Sequence, residues 1–201
     1  IADQVSLALR GEFVPFAEQT GYIKQLTRWV LARGIRQVAE WRAAGLDIAV
    51  SINISTRDLM GPDLTDYVSD QLARAGTPPD LVCLEITESG FMEDPTHALA
   101  TLERLHALGL MLSVDDFGTG YSSLAYLKKL PVSELKIDQS FVRDMVTNED
   151  DATIVRSTIE LGHNMGLEVT AEGVEDGAGL EMLRNLGCDQ AQGWVISKPM
   201  P

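Results

Sequence analysis

Apolar and polar positions alternate between two periods along this chain, and the switches between them divide it into helices and strands. From Phe13 to about Ala44, Ile23, Leu26, Val30, Leu31, Ile35, Val38 and Trp41 recur at intervals of three and four, which predicts a helical stretch with one apolar stripe. Gly21 and Gly34 interrupt it and leave room for two helices with a bend. Asp47–Ile54 then reads as a β-branched strand, Arg57–Ala75 as a helix, and Thr77-Pro78-Pro79 as a stop. Leu81–Thr87 is the next strand, Pro95–Leu108 a helix stopped by Gly109, and Leu110–Asp115 the central strand. The rhythm repeats: helical Leu124–Leu130 closed by Pro131, strand Ser133–Asp138, helix Asp151–Met165, strand Leu167–Ala171, helix Gly179–Leu186 and strand Gln190–Ile196. Strands alternating with helices predict parallel strands joined by right-handed crossovers. Six strands would suit an open doubly wound sheet, but no Gly-x-Gly-x-x-Gly loop is present. A closed (β/α)8 barrel would need two more. Residues 1–10 form a short amphipathic piece of unclear register.

Composition narrows the function. The 201 residues suit one domain, and a hydrophobic content of 45% supports a sizeable core. A net charge of −14 argues against DNA binding through a basic face, although divalent ions could still bring a phosphate ligand to an acidic site. No run approaches the roughly 18 apolar residues that a membrane span needs, and no signal peptide is visible. Cys83 and Cys188 are too few for a disulfide framework and read as small core residues in a reducing compartment, so the expected location is the cytoplasm.

The candidate chemistry lies at the strand ends. Asn53, Glu85, Asp115 with Asp116, Lys136, Glu172 and Gln192 each stand at or near the C-terminal end of a predicted strand, the rim where barrel enzymes place their sites. Glu85 lies between Leu84 and Ile86, and Lys136 between Leu135 and Ile137, so both should point away from the apolar face. Charges placed there are costly unless paired or metal-bound. Asp115 and Asp116 can share a face only if the strand ends at them. The carboxylates and the amide oxygen are hard ligands, suited to Mg²⁺ or Mn²⁺ rather than zinc. His97, His106 and His163 fall on presumed surface helices, and no Gly-x-Ser-x-Gly elbow surrounds Ser122 or Ser123. Two such ions roughly 4 Å apart would clamp a phosphoryl group, and a neighbouring Lys could orient water or stabilise developing charge.

Six ordered motifs carry a resemblance: Ser51-Ile-Asn-Ile-Ser55, Leu84-Glu-Ile-Thr-Glu-Ser89, Asp115-Asp-Phe-Gly-Thr-Gly-Tyr-Ser-Ser123, Glu134-Leu-Lys-Ile-Asp138, Ala171-Glu-Gly-Val-Glu175 and Gln192-Gly-x-x-x-Ser-Lys-Pro199. Together with Phe13-Val14-Pro15 and Glu18, they resemble the EAL domain family, whose members hydrolyse the bacterial second messenger cyclic di-GMP to linear pGpG. The resemblance implies a TIM-barrel-like (β/α)8 variant, here a single EAL-type domain over residues 1–201. It implies Asn53, Glu85, Asp115, Asp116 and Glu172 as ligands of two Mg²⁺ or Mn²⁺ ions. Lys136 would contact the attacking water, with Asp115, Asp116 and Glu172 beside it as catalytic residues. Gln192 and Asp138 would serve the substrate, and Glu88 would anchor the Asp-Phe-Gly-Thr-Gly loop by accepting bonds from Thr119 or Ser122. A homodimer is implied through Leu124 and Leu127, with sensory or cyclase domains elsewhere in the full-length protein.

One departure stands out. The family's Glu-Ala-Leu strand has no counterpart here; Ser6-Leu-Ala-Leu-Arg10 is the nearest shape, with Ser6 where Glu would be. The expectation is that the first strands are missing from this sequence around Arg10–Gly11. A catalytically inactive receptor for cyclic di-GMP, or a protein-binding scaffold, would be the alternative, but such proteins show eroded loops and ligands, and neither is eroded here.

Overall fold

The computed structural model describes residues 10–88, 94–120 and 124–198. The chain begins with helices α1 (Arg10–Thr20) and α2 (Ile23–Ala43), then strand β1 (Val50–Asn53). Helices α3 (Thr56–Leu59) and α4 (Leu64–Ala75) follow, then β2 (Val82–Thr87), α5 (Pro95–Ala107), β3 (Met111–Phe117) and α6 (Leu124–Leu127). The remainder is β4 (Glu134–Ile137), α7 (Gln139–Asp144), α8 (Glu149–Asn164), β5 (Glu168–Ala171), α9 (Gly177–Leu186) and β6 (Gln190–Ala191). Among the described residues, the six strands are parallel and lie in chain order, β1 to β6.

The sheet is curled, because Ser51 of β1 and Gln190 of β6, at its two edges, line the same cavity of about 320 Å³. This is the half-barrel form of a TIM-barrel-like fold. Alternation along the strands explains its two faces. Ile52, Leu84, Ile86, Leu112, Val114, Leu135, Ile137 and Val169 are buried in the hydrophobic core shared with the helices. Their neighbours in sequence, among them Glu85, Ser113, Asp115, Lys136 and Thr170, are buried and polar. The sheet therefore has an oily side and a polar, concave side.

Several predicted elements need correction. The bend near the N-terminus falls at Gly21, which takes a left-handed φ of 80°, whereas α2 runs unbroken through Gly34. A methyl carbon on Gly34 would lie 2.7 Å from Ile52 Cδ1, so this glycine serves close helix–sheet packing. The helix expected over Arg57–Ala75 is split into α3 and α4 around Gly61-Pro62, where proline lacks the N–H that a continuous helix uses. β1 and β6 are shorter than predicted; the chain turns after Ala191. Helix α7, between Asp138 and the predicted Asp151–Met165 helix, has no counterpart in the hydrophobic pattern. Residues 1–9 and Tyr121–Ser123, where the Ser6 comparison and the Ser122 contact fall, lie outside the described residues.

Candidate active site

The ends of β2 to β5 bring the predicted charges together. Lys136 reaches into the polar face from β4, with its Nζ 2.6 Å from Glu85 Oε1, 3.6 Å from Asp115 Oδ1 and in direct contact with Glu172 Oε1. Burial alone would lower the lysine pKa, but the bonds to Glu172 and Glu85 outweigh it and hold Lys136 above its ordinary value. It is a fixed cation. Glu85 is fully engaged: its other oxygen accepts from Asn53 Nδ2 at 3.0 Å.

β3 continues past the two aspartates to Phe117, rather than ending at them. Both carboxylates nevertheless serve one site, because the β3–β4 register shifts between Val114 and Phe117 and Asp116 adopts φ 54°. A non-glycine residue in that region is strained, and the Asp116 N–H donating to Asp115 Oδ1 at 3.0 Å helps to hold it. Asp115, Asp116 and Glu172 thereby offer carboxylate oxygens within 4.8 Å of one another. Burial first, then Asp115 and Asp138, push the Asp116 carboxyl up to about 6. Burial also raises Glu172, partly offset by Lys136. Together with Asp115, these two acids form a hard donor set of three carboxylates suited to a divalent cation.

Asn53 and Glu85 stand one step away from that cluster, linked to it through Lys136. Gln192 follows β6 with its side chain exposed, and its backbone ties Ala171 (2.8 Å) to Val174 (3.1 Å). It lines the 320 Å³ cavity with Glu85 and Lys136, and a second cavity of about 380 Å³ with Glu172. Asp138 caps α7, accepting from Ser140 N at 2.9 Å, and faces Asp116. Glu88 is buried, and one of its oxygens accepts from Gly118 N at 3.0 Å and Gly120 N at 3.2 Å. Among the described residues, the groups it anchors include these two backbone amides. The Thr119 hydroxyl donates to the Asp116 carbonyl instead. Of the expected dimer contacts, Leu124 is exposed and Leu127 is buried in the core.

Sequence reasoning passed over Arg143, which pairs with Glu175 at 3.2 Å beside the second cavity. Glu175 lay within a quoted motif, but Arg143 sits on α7, which no periodicity announced. Lys198 stacks over Trp194 at 5.4 Å on the same rim.

Known proteins resemble this chain in sequence and fold. MucR of Pseudomonas aeruginosa, a bifunctional diguanylate cyclase/cyclic di-GMP phosphodiesterase, is 44% identical over 199 residues, covering 98% of this chain and 29% of MucR. The cyclic di-GMP phosphodiesterase NbdA of the same species is 40% identical over 190 residues, covering 94% of this chain and 24% of NbdA. A solved PaMucR phosphodiesterase in complex with c-di-GMP superposes with a TM-score of 0.92 at 44% identity, covering 95% of this chain and 78% of that one. The chain spans 24% to 31% of the length of the curated relatives it matches, several of which are signalling proteins. No described helix is long and apolar enough to cross a membrane. Residues 4–199 match the EAL domain, and the chain belongs to that family.

Proposed function

We propose that this chain hydrolyses cyclic di-GMP to linear pGpG as the phosphodiesterase unit of a longer bacterial signalling protein. The observation that carries the reading is the carboxylate cluster of Asp115, Asp116 and Glu172 set against the buried cation of Lys136. Asp115, Asp116 and Glu172 would hold divalent ions, with Asn53 and Glu85 completing the set from β1 and β2. Mg²⁺ or Mn²⁺ held by these residues would supply neutralisation of the phosphate and a lowered pKa for a bound water. The ligand chemistry matches the substrate: two phosphates would otherwise be repelled by an acidic rim.

The protein's own groups supply the rest. Lys136 stays protonated, so it donates hydrogen bonds and charge and does not accept the water's proton. Its Nζ orients water and stabilises charge developing on the phosphoryl oxygens. Water oxygen bonds to phosphorus, and a ribose 3′ oxygen leaves and takes up a proton. Glu88 keeps the loop after Asp116 in place through the Gly118 and Gly120 amides. Gln192 and Asp138 border the rim from two sides and would contact the nucleotide. Leu124, exposed at the edge of the loop, would contribute to a homodimer in the full-length protein.

Incubating the purified protein with cyclic di-GMP and Mn²⁺, and separating nucleotides by anion exchange, tests the reading. The expected product is pGpG, with no product in excess chelator. Nucleotide that binds and is recovered intact would make the chain a receptor.

A further inference from the structure

The short helix α7 touches the chain immediately beyond the metal-binding residues of two different strands. It leaves β4, and β4 lies between β3 and β5, so α7 extends between the loop after Asp116 and the loop after Glu172. On one side, a methyl carbon on Gly118 would lie 3.0 Å from Phe141 Cε2. On the other, a methyl carbon on Gly173 would lie 2.4 Å from Gln139 Cβ. Gly118 has φ 101° and Gly173 has φ 70°, so both are left-handed positions that also have no room for a side chain. Arg143 then grips the same second loop through Glu175 at 3.2 Å. The helix is itself held at both ends, by the Asp138 cap and by buried Val142 and Met145.

We propose that α7 is a spacer, with Phe141 and Gln139 as positioning residues that set the gap between the Asp115–Asp116 pair and Glu172, and so fix which size of divalent cation the cluster prefers. The inference rests on the reading of that cluster as a metal site. Gly118 is two residues beyond Asp116, and Gly173 is one beyond Glu172, so a shift of either glycine moves a ligand directly. Close-packed contacts transmit such shifts because they have no free space to absorb them. Mg²⁺ demands near-ideal octahedral geometry at 2.0–2.1 Å, whereas Ca²⁺ accepts longer and less regular coordination. Loosening the gap should therefore penalise the small ion more than the large one.

The test is calorimetric titration of the whole protein with Mg²⁺ and with Ca²⁺, in wild type, Phe141→Ala, Phe141→Leu and Val68→Ala. Phe141→Ala is expected to weaken Mg²⁺ about tenfold or more, as loss of a residue supporting a metal ligand typically does, and to weaken Ca²⁺ much less. Phe141→Leu, which refills part of the space, should recover part of the preference and keeps the test available if the alanine variant does not fold. Val68→Ala, in the core beneath α4 and away from α7, should lower the melting temperature and leave the Mg²⁺/Ca²⁺ ratio at the wild-type value. A ratio unchanged in both Phe141 variants, or moved equally by Val68→Ala, overturns the spacer. Wild-type protein that binds neither ion would instead overturn the metal reading, and the spacer with it.

Discussion

Lys136 Nζ and Glu85 Oε1 stand 2.6 Å apart inside the sheet, with side chains 4% and 6% exposed. An ion pair this deep does not need to stabilise the fold, since desolvation offsets much of its attraction. Breaking it is another matter, because one charge then remains buried. Replacing Lys136 with Met leaves Glu85, Asp115 and Glu172 without their shared cation. The expected loss is about 3–5 kcal/mol in the metal-free protein, with turnover lower by about 100-fold or more. Denaturant unfolding with and without Mn²⁺ should show the ion restoring part of that stability. Near-normal turnover would remove Lys136 from the mechanism.

Glu88→Ala should loosen the loop after Asp116. The substitution leaves the Gly118 and Gly120 amides without their acceptor, a cost of about 1–3 kcal/mol if they find no other partner. Weaker Mn²⁺ binding and lower turnover are expected, with the rest of the sheet unchanged. Calorimetry and initial rates provide the check, and wild-type values for both would show that the loop is held elsewhere.

The pH response of Asp116 has a definite sign. Its carboxyl rises from 3.8 to about 6 in the folded chain, so the folded state holds the proton more tightly than the unfolded one. Its contribution to stability is complete below pH 3.8 and is lost as pH rises through about 6. A cation competes for the same oxygens, so Mn²⁺ affinity should climb towards pH of about 6 and level off above it. Asp116→Asn should flatten both responses. Thermal melts in chelator and Mn²⁺ titrations across that interval test this, and pH-independent affinity in wild type would contradict it.

Gly193→Ala should disturb the rim beside Gln192. A methyl carbon there would lie 2.2 Å from the Val174 carbonyl oxygen and 2.4 Å from its nitrogen, both backbone atoms that cannot step aside. The strand-end bonds from Val174 N to Gln192 O and from Val195 N to Val174 O, each 3.1 Å, would have to part. Overpacking of this kind costs about 1–3 kcal/mol. A lower melting temperature and weaker nucleotide binding are expected, whereas a variant indistinguishable from wild type would show that the turn can relax.

By itself, the order of residues determined the alternation of helices and strands, the six parallel strands, the polar strand ends and the pairing need of Glu85 and Lys136. These follow from short-range periodicity: a strand turns every second side chain to one face, so a charge between two apolar neighbours must face away from them. The six motifs carried the family resemblance for the same reason, since each lies at one strand end. Only the tertiary structure decided how Asp115 and Asp116 come to share a site, because that depends on a register shift against β4 and a left-handed residue inside a strand. It also decided that Glu88 holds Gly118 and Gly120 rather than Thr119, that Gly34 is a packing position, and that β6 stops where Gly193 meets Val174. Helix α7 belongs to this group as well. Its few residues have too little length for an apolar stripe to show, and it owes its place to contacts with Gly118 and Gly173. Those contacts join residues far apart in the chain, and no local pattern encodes which backbone another backbone will press against.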